Sequence, residues 1–300
     1  MILNPYRFAT SNPFLTTWNS GADKTILLPL FNGETYNFTV LWGDGTSSTI
    51  TAWNQAETTH VYPLSNTQYQ VSISGACPRW YFNNSSTYRA KLTSIVAWGT
   101  QVWTSLNGAF YGCTGLTSIA AGGNFSTVAN CDFAWRGCTS LTSFPALSFP
   151  AATSCGSTWY NCPFTSFPAL SFPLVTDLTE AWRLCQSLTS FPSISCPLVT
   201  NLTLAWSSCI SLTTFLTTAF PSGFNFLSAW VNTNIGSFPT ITFASGTGLQ
   251  FSNCNFNATT LNTIFTNLTS GAHTITITGN PGAGTCDTTI ATNKGWTVVG

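Results

Sequence analysis

The chain has 300 residues, of which 8 are Lys or Arg and 8 are Asp or Glu, so only 5% are charged and the net charge is zero, whereas an average soluble domain is about 25% charged. This composition excludes a basic stripe and with it charge-driven binding of nucleic acids. The 44% hydrophobic and 14% aromatic content is enough for a packed core and excludes disorder driven by charge repulsion.

The N-terminal quarter of the chain is predicted to be an arm, residues 1–22, followed by a β-sandwich, residues 23–76. Three short apolar segments within the second range predict strands: 25–28, 36–42 and 69–73. Gly43-Asp44-Gly45 lies between them and has the composition of a tight turn. Asp44 is interpreted as a residue that stabilises this turn by hydrogen bonds, with a calcium ligand as the alternative.

Residues 77–258 contain a repeat with a period of about 24 residues. One aromatic residue marks each copy: Phe110, Trp135, Trp159, Trp182, Trp206 and Trp230. A cysteine follows three residues later in the first five copies, and Thr233 takes its place in the sixth: Cys113, Cys138, Cys162, Cys185 and Cys209. Residues that recur at one spacing with one chemistry are expected to stack on their own copies, so these two columns are predicted to be structural and buried.

A strand-like phrase follows each cysteine, as in Leu116-Thr-Ser-Ile119 and Leu188-Thr-Ser-Phe191. One such strand per copy predicts a mainly β fold with a leucine-rich-repeat-type solenoid of about seven coils of 24 residues each. Proline cannot donate a ladder hydrogen bond, so the prolines after the phrase predict short strands. These prolines are Pro145, Pro168, Pro192 and Pro239.

The repeat phrase Ala109-Phe110-Tyr-Gly-Cys113-Thr-Gly-Leu116-Thr-Ser-Ile119 resembles the BspA-like leucine-rich-repeat surface proteins, in the Trp-rich form that is similar to marine phage-encoded repeat proteins. The resemblance covers about residues 92–258. The upstream segment with Trp42-Gly-Asp-Gly-Thr46 and His60-Val-Tyr62 resembles a PKD-type β-sandwich. The two resemblances imply a surface scaffold, preceded by a spacer or docking module that carries no chemistry.

The C-terminal segment, residues 259–300, is predicted to be a small α/β cap on the solenoid. Apolar residues at helical spacing predict a helix over 260–268, and alternation predicts a strand over 273–279. A second short helix is predicted near 287–294, before a final apolar segment at 296–299. No stretch of the sequence is long and apolar enough to predict a transmembrane helix.

The eleven cysteines are interpreted as buried, reduced thiols and not as metal ligands or disulfides. Most of them occupy columns that other repeats fill with apolar or small residues, and no C-x-x-C pair typical of a zinc site occurs. Cys77, Cys254 and Cys286 lie outside the best columns, and their redox state stays open. No metal and no other cofactor is predicted.

The sequence predicts that the protein is not an enzyme. His60 and His273, the only histidines, are interpreted as structural. Acidic and basic residues do occur close together in the repeats, in the pairs Asp132 with Arg136 and Asp177 or Glu180 with Arg183. Surface ion pairs explain these groups, and a glycosidase-like acid and base is the alternative. No phosphate-binding loop, nucleophile elbow or H-E-x-x-H motif occurs.

The function favoured by these features is a non-enzymatic structural or binding protein on a bacteriophage virion: a fibre, an adhesin or a capsid-decoration subunit. The N-terminus lacks the features of a secretory signal, so we expect assembly into particles in the host cytoplasm. Expected partners are other virion proteins and a host-surface glycan or protein, with the chain present in several copies and neither nucleic acid nor membrane insertion involved. The alternatives are a cellular BspA-like surface adhesin and an intracellular scaffold.

Overall fold

The computed structural model describes residues 12–83, 87–216, 225, 227–238 and 248–300. The described chain is mainly β with few helices. Its strands are β1 (Phe14–Asn19), β2 (Thr25–Leu27), β3 (Asn37–Leu41), β4 (Ser47–Ile50), β5 (Thr59–Val61), β6 (Gln68–Ala76), β7 (Leu92–Ala97), β8 (Ser118–Ile119), β9 (Ser190–Phe191), β10 (Thr214–Phe215), β11 (Leu249–Gln250), β12 (Thr274–Thr276) and β13 (Thr297–Val299). Its helices are α1 (Ala258–Thr266) and α2 (Thr289–Thr292), with 3-10 turns at Ala56–Thr58 and Arg89–Lys91.

The largest sheet has six strands in the order β4-β3-β6-β1-β7-β8. All of its pairs are antiparallel except β7 with β8. Strand β1 lies at the centre, and its side chains alternate between buried and half-buried positions, with Phe14 and Trp18 fully buried. The sheet therefore draws strands from the predicted arm, sandwich and repeat segments; residues 1–11 of the arm lie outside the described residues.

Strands β2 and β5 form a second, two-stranded antiparallel sheet beside the first. Aromatic rings connect β5 to the six-stranded sheet: the His60 ring stacks on Trp42 at 4.5 Å between centroids, and Tyr62 stacks on Tyr69 at 3.9 Å. The Tyr62 hydroxyl also donates a hydrogen bond to the Trp42 carbonyl at 2.9 Å. This packing fixes the position of residues 25–30 and 53–61, which form one wall of the cleft described below.

The predicted leucine-rich-repeat solenoid is wrong. The sheets are small and mixed, and no repeat solenoid is found. The strands β8, β9, β10 and β11 have two residues each and are divided among three sheets. The expectation of short strands is confirmed, since β9 ends at Phe191, directly before Pro192; Pro239 lies outside the described residues. Because the strands stop so early, turns and segments without regular secondary structure make up most of each described repeat.

Backbone hydrogen bonds nevertheless join turns of successive repeats. The Trp135 N–H donates to the Thr158 carbonyl at 2.9 Å, and the Trp182 N–H donates to the Ala205 carbonyl at 2.9 Å. Two residues before the aromatic column, the backbone is left-handed even at bulky side chains such as Phe133 (φ 59°) and Glu180 (φ 55°). Each such residue costs about 1–2 kcal/mol, and the hydrogen bonds between repeats hold the backbone in this conformation.

In the C-terminal segment, the two helices and the strand expected from the sequence are present as α1, α2 and β12, and β12 forms a parallel three-stranded sheet with β11 and β13. The Asn257 side chain accepts a hydrogen bond from the Thr260 N–H at 2.9 Å and so caps α1. Leu261, Ile264 and Phe265 are the buried residues of this helix. Within the described ranges, no helix is long and apolar enough to cross a membrane.

Candidate binding site

The structure brings the aromatic column of the repeats together in one buried stack. Neighbouring ring centroids lie 5.2 Å apart for Trp159 and Trp182 and 5.3 Å apart for Trp182 and Trp206, with the rings nearly parallel. The separation is 5.9 Å between Phe110 and Trp135, 6.3 Å between Trp135 and Trp159, and 5.5 Å between Trp206 and Trp230. These side chains are at most 1% exposed, so they contribute to the core and not to a surface site.

The cysteine column lies beside this stack and hydrogen-bonds to it. The Cys185 thiol donates to the Trp159 carbonyl at 3.1 Å, and Cys138, Cys162 and Cys209 make the equivalent bond to the preceding repeat. Cys113 is also fully buried. Burial raises the pKa of Cys185 to about 12, which keeps the thiol protonated and unreactive at neutral pH.

Cys254 makes the same kind of hydrogen bond, although it does not follow an aromatic column residue at the three-residue spacing of the other cysteines. Its thiol donates to the Trp230 carbonyl at 3.0 Å, two repeats after Cys209, and Thr233 occupies the column position between them. Cys77 is buried and Cys286 is half-buried, and all eleven cysteines are free thiols. Among the described residues, no group of three or more His, Cys, Asp or Glu side chains has a metal-binding arrangement.

The acidic and basic residues of the repeats are held in structural contacts. Asp132 accepts hydrogen bonds from the Ser154 hydroxyl at 2.5 Å and the Gly156 N–H at 2.7 Å, and it forms no ion pair with Arg136. Glu180 pairs with Arg183 and, at 3.6 Å, with Arg136 of an earlier repeat. Asp177 Oδ1 accepts the Thr179 N–H at 2.9 Å.

The histidines are also engaged in the fold. The His60 ring lies 2.7 Å from Asp44 Oδ2, while Asp44 Oδ1 accepts the Thr46 N–H at 3.0 Å. Burial acts to raise the pKa of Asp44, but the hydrogen bonds from Thr46 and His60 outweigh it and lower the pKa. His273 packs against Trp296 with 4.9 Å between ring centroids. Asp44 thus occupies the turn-stabilising role expected from the sequence.

An open cleft of about 600 Å³ lies where the two N-terminal sheets meet the segment that leads into the repeats. The first wall is the end of β2 and the residues that follow it, 27–30. The second comprises Trp53, Asn54, Gln55, Ala56, Thr58 and Thr59, and the third comprises Tyr81, Phe82, Thr87 and Tyr88. The walls are joined by backbone hydrogen bonds, from Tyr81 N–H to the Pro29 carbonyl at 2.6 Å and from Leu28 N–H to the Thr58 carbonyl at 2.9 Å.

Trp53 projects an apolar ring at the mouth of this cleft from a loop that is held by Gln55. The Gln55 Oε1 atom accepts the Thr51 N–H at 2.7 Å and the Ala52 N–H at 3.0 Å, while its Nε2 donates to the Thr49 carbonyl at 2.8 Å. Trp53 itself is 41% exposed, and exposing so much indole surface costs free energy that burial would recover. The Gln55 side chain therefore holds the loop backbone just before Trp53.

None of the residues that line the cleft carries a charge. Its polar groups are hydroxyls and amides, among them the exposed Asn54 and Thr59, and its aromatic groups are Trp53, Tyr81 and Tyr88. An aromatic ring packs against the C–H face of a sugar, while amides and hydroxyls hydrogen-bond sugar hydroxyls. The arrangement is chemically suited to an uncharged, hydroxyl-rich ligand.

The sequence does not reveal this cleft because its three walls are far apart in the chain. Trp53 is the one signal available, since it lies in a polar segment outside any apolar alternation. Comparison with known proteins finds no matching family model, no matching curated protein and no matching solved structure.

Proposed function

We propose that the protein is a non-enzymatic binding protein that recognises a neutral glycan in the cleft around Trp53. The observation that carries this proposal is the lining of the cleft, which combines the exposed Trp53 indole with amides and hydroxyls and has no charged residue among the described residues that form it. A neutral lining favours a neutral ligand because burying an unpaired charge in such a cleft would be costly.

Three further features support binding in place of catalysis. The carboxylates considered as an acid and base, Asp132 and Glu180, are occupied by hydrogen bonds and arginine pairs outside the cleft. His60 is committed to Asp44 and Trp42. The Cys185 thiol, whose pKa is raised, is buried in the repeats and hydrogen-bonds to the Trp159 carbonyl.

The place proposed for this activity is the surface of a bacteriophage particle, where the protein would act in several copies as a fibre, adhesin or decoration subunit; a cellular surface adhesin is the alternative. The likeness of the repeat sequence to phage-encoded surface repeats supports this placement. Immunogold labelling of purified particles tests it: gold on virions supports the proposal, and gold confined to the cell envelope favours the alternative.

Ligand binding is tested by titrating the full chain with three neutral oligosaccharides, cellohexaose, maltohexaose and chitohexaose, in a calorimeter. We expect at least one of them to bind and Trp53→Ala to weaken that binding about tenfold or more. Leu64→Ala is the matched control, because Leu64 is 59% exposed and lies outside the cleft lining. Unchanged affinity in Trp53→Ala, or no binding of any of the three sugars to the native chain, would contradict the proposal.

A further inference from the structure

A second surface, on the repeats, differs from the uncharged cleft because it contains arginine side chains. One residue after the aromatic column, four successive repeats carry alternating tyrosine and arginine: Tyr111, Arg136, Tyr160 and Arg183. All four side chains are partly exposed. We call these four residues the Tyr-Arg row. Two of the chain's eight basic residues lie in it.

The two arginines of the row have different main contacts: Arg183 forms a close ion pair, whereas Arg136 stacks on a tyrosine ring. Arg183 is paired with Glu180 in a close contact. Arg136 lies over the Tyr160 ring, with its guanidinium carbon 3.7 Å from the ring centroid, and is 3.6 Å from Glu180. No hydrogen bond from the Arg136 side chain is found among the residues that the structure describes. Its planar set of N–H donors is thus stacked on Tyr160, and its contact with a protein carboxylate is the ion pair with Glu180, without a hydrogen bond.

Arg136 also lines a concavity of about 260 Å³. Tyr111 and Tyr160 form its aromatic sides, and Thr114, Thr139 and Asn161 supply exposed hydroxyl and amide groups. A guanidinium in fixed orientation is the preferred partner of a carboxylate, which it binds through two parallel N–H bonds. The concavity is small enough to accommodate about one sugar ring beside that contact.

We infer that Arg136 and the Tyr-Arg row form a binding site for a carboxylated sugar, with Arg136 as the anchor of the carboxylate. The flanking tyrosines, threonines and asparagine favour a sugar over a peptide carboxyl terminus, since they provide ring faces and hydroxyl partners and no apolar side-chain pocket. Asp132 forms no ion pair with Arg136, and its oxygens accept bonds from Ser154, Gly156 and Asn130. Glu180 competes for Arg136, at 3.6 Å.

This site is tested with a pair of trisaccharides that differ only in their terminal unit, glucuronic acid or glucose, titrated into the full chain at low ionic strength. We expect the acidic trisaccharide to bind about tenfold or more tightly than the neutral one, and salt to weaken that preference. Arg136→Gln should abolish the preference, whereas Glu180→Gln should strengthen acidic binding severalfold by removing the competing carboxylate.

Arg89→Gln is the charge-matched control, because it removes one positive charge outside the row and should leave the preference intact. Thermal unfolding of each variant separates loss of binding from loss of fold. Equal binding of the two trisaccharides, a preference that survives in Arg136→Gln, or tighter binding of a peptide carboxyl terminus than of the acidic sugar would overturn the inference. Trp53→Ala should not change the binding of the acidic trisaccharide. The proposal for this site and the proposal for the cleft can therefore be refuted independently.

Discussion

Trp18 in the six-stranded sheet and Trp182 in the repeats are both fully buried, yet the two indoles are held in different ways. The Trp18 indole N–H donates to the Thr16 hydroxyl at 2.9 Å, and in the same sheet the Trp42 indole donates to Ser48 at 2.9 Å. The indole N–H groups of Trp135, Trp159 and Trp182 have no hydrogen-bond partner among the described residues.

The contrast shows two uses of one residue type. In the sheet, tryptophan is an amphipathic anchor whose polar edge is satisfied by a neighbouring hydroxyl. In the repeats, the tryptophan ring is stacked between the aromatic rings of the two neighbouring repeats. These surrounding rings offer no hydrogen-bond acceptor for the indole N–H. An unsatisfied buried donor costs about 1–3 kcal/mol, so the stack must offset that cost through contact area and ring stacking.

The largest effect expected is on the pH dependence of stability, because raised thiol pKa values are concentrated in the repeats. Burial raises the pKa of four thiols from about 9 to about 12: Cys77, Cys185, Cys196 and Cys254. Above pH 9 the unfolded chain loses these protons while the folded chain keeps them. Their stabilisation is therefore complete below that pH and is lost between pH 9 and 12.

These four thiols alone should lower the free energy of unfolding by roughly 5 kcal/mol between pH 8 and pH 10, as measured by urea denaturation at each pH. Other buried thiols of the repeats, whose pKa values are also raised, should add to this fall. The Cys185→Ala variant is the control and should show a shallower fall, since it removes one of the titrating groups. A free energy that stays constant across this pH range would show that the repeat core does not shield its thiols.

Truncation of the stack comes next in size. Trp182→Ala removes an indole ring whose centroid lies 5.2 Å from that of Trp159 and 5.3 Å from that of Trp206. This substitution should lower the free energy of unfolding by about 3–5 kcal/mol. Trp53→Ala, which truncates an indole that is 41% exposed, should cost about 1 kcal/mol or less. Urea denaturation compares the two. Similar losses in both variants would mean that the stack contributes no more than a surface tryptophan.

The smallest expected effect is the loss of stability when a buried tryptophan is replaced by phenylalanine, which tests the contribution of the indole N–H. Trp182→Phe removes no hydrogen bond and places in the column the residue type that Phe110 already provides, so it should cost less than about 1.5 kcal/mol. Trp18→Phe leaves the buried Thr16 hydroxyl without that indole donor and should cost about 1–3 kcal/mol more than Trp182→Phe. Chemical denaturation of both variants measures the difference. A larger loss at Trp182 would show that its N–H has a stabilising partner after all.

The sequence alone determined which side chains recur and that the strands would be short. Column residues such as Trp159 and Cys162 are buried because an apolar group repeated at one spacing can be shielded by its own copies, and Pro192 ends β9 because proline lacks a ladder donor. The capped helix α1 also follows from local signals, since Asn257 and the spacing of Leu261 and Phe265 act within one helix.

Only the tertiary structure decided the sheets and both candidate sites. Periodicity shows that positions are equivalent but not what backbone joins them, and it gives no sign of the left-handed residues such as Glu180. The insertion of β1 between β6 and β7, the cleft beneath Trp53 and the placement of Arg136 over Tyr160 all depend on contacts between residues distant in the chain. Such contacts have no local sequence signal, because they contribute to stability only after folding has brought residues from distant parts of the chain together.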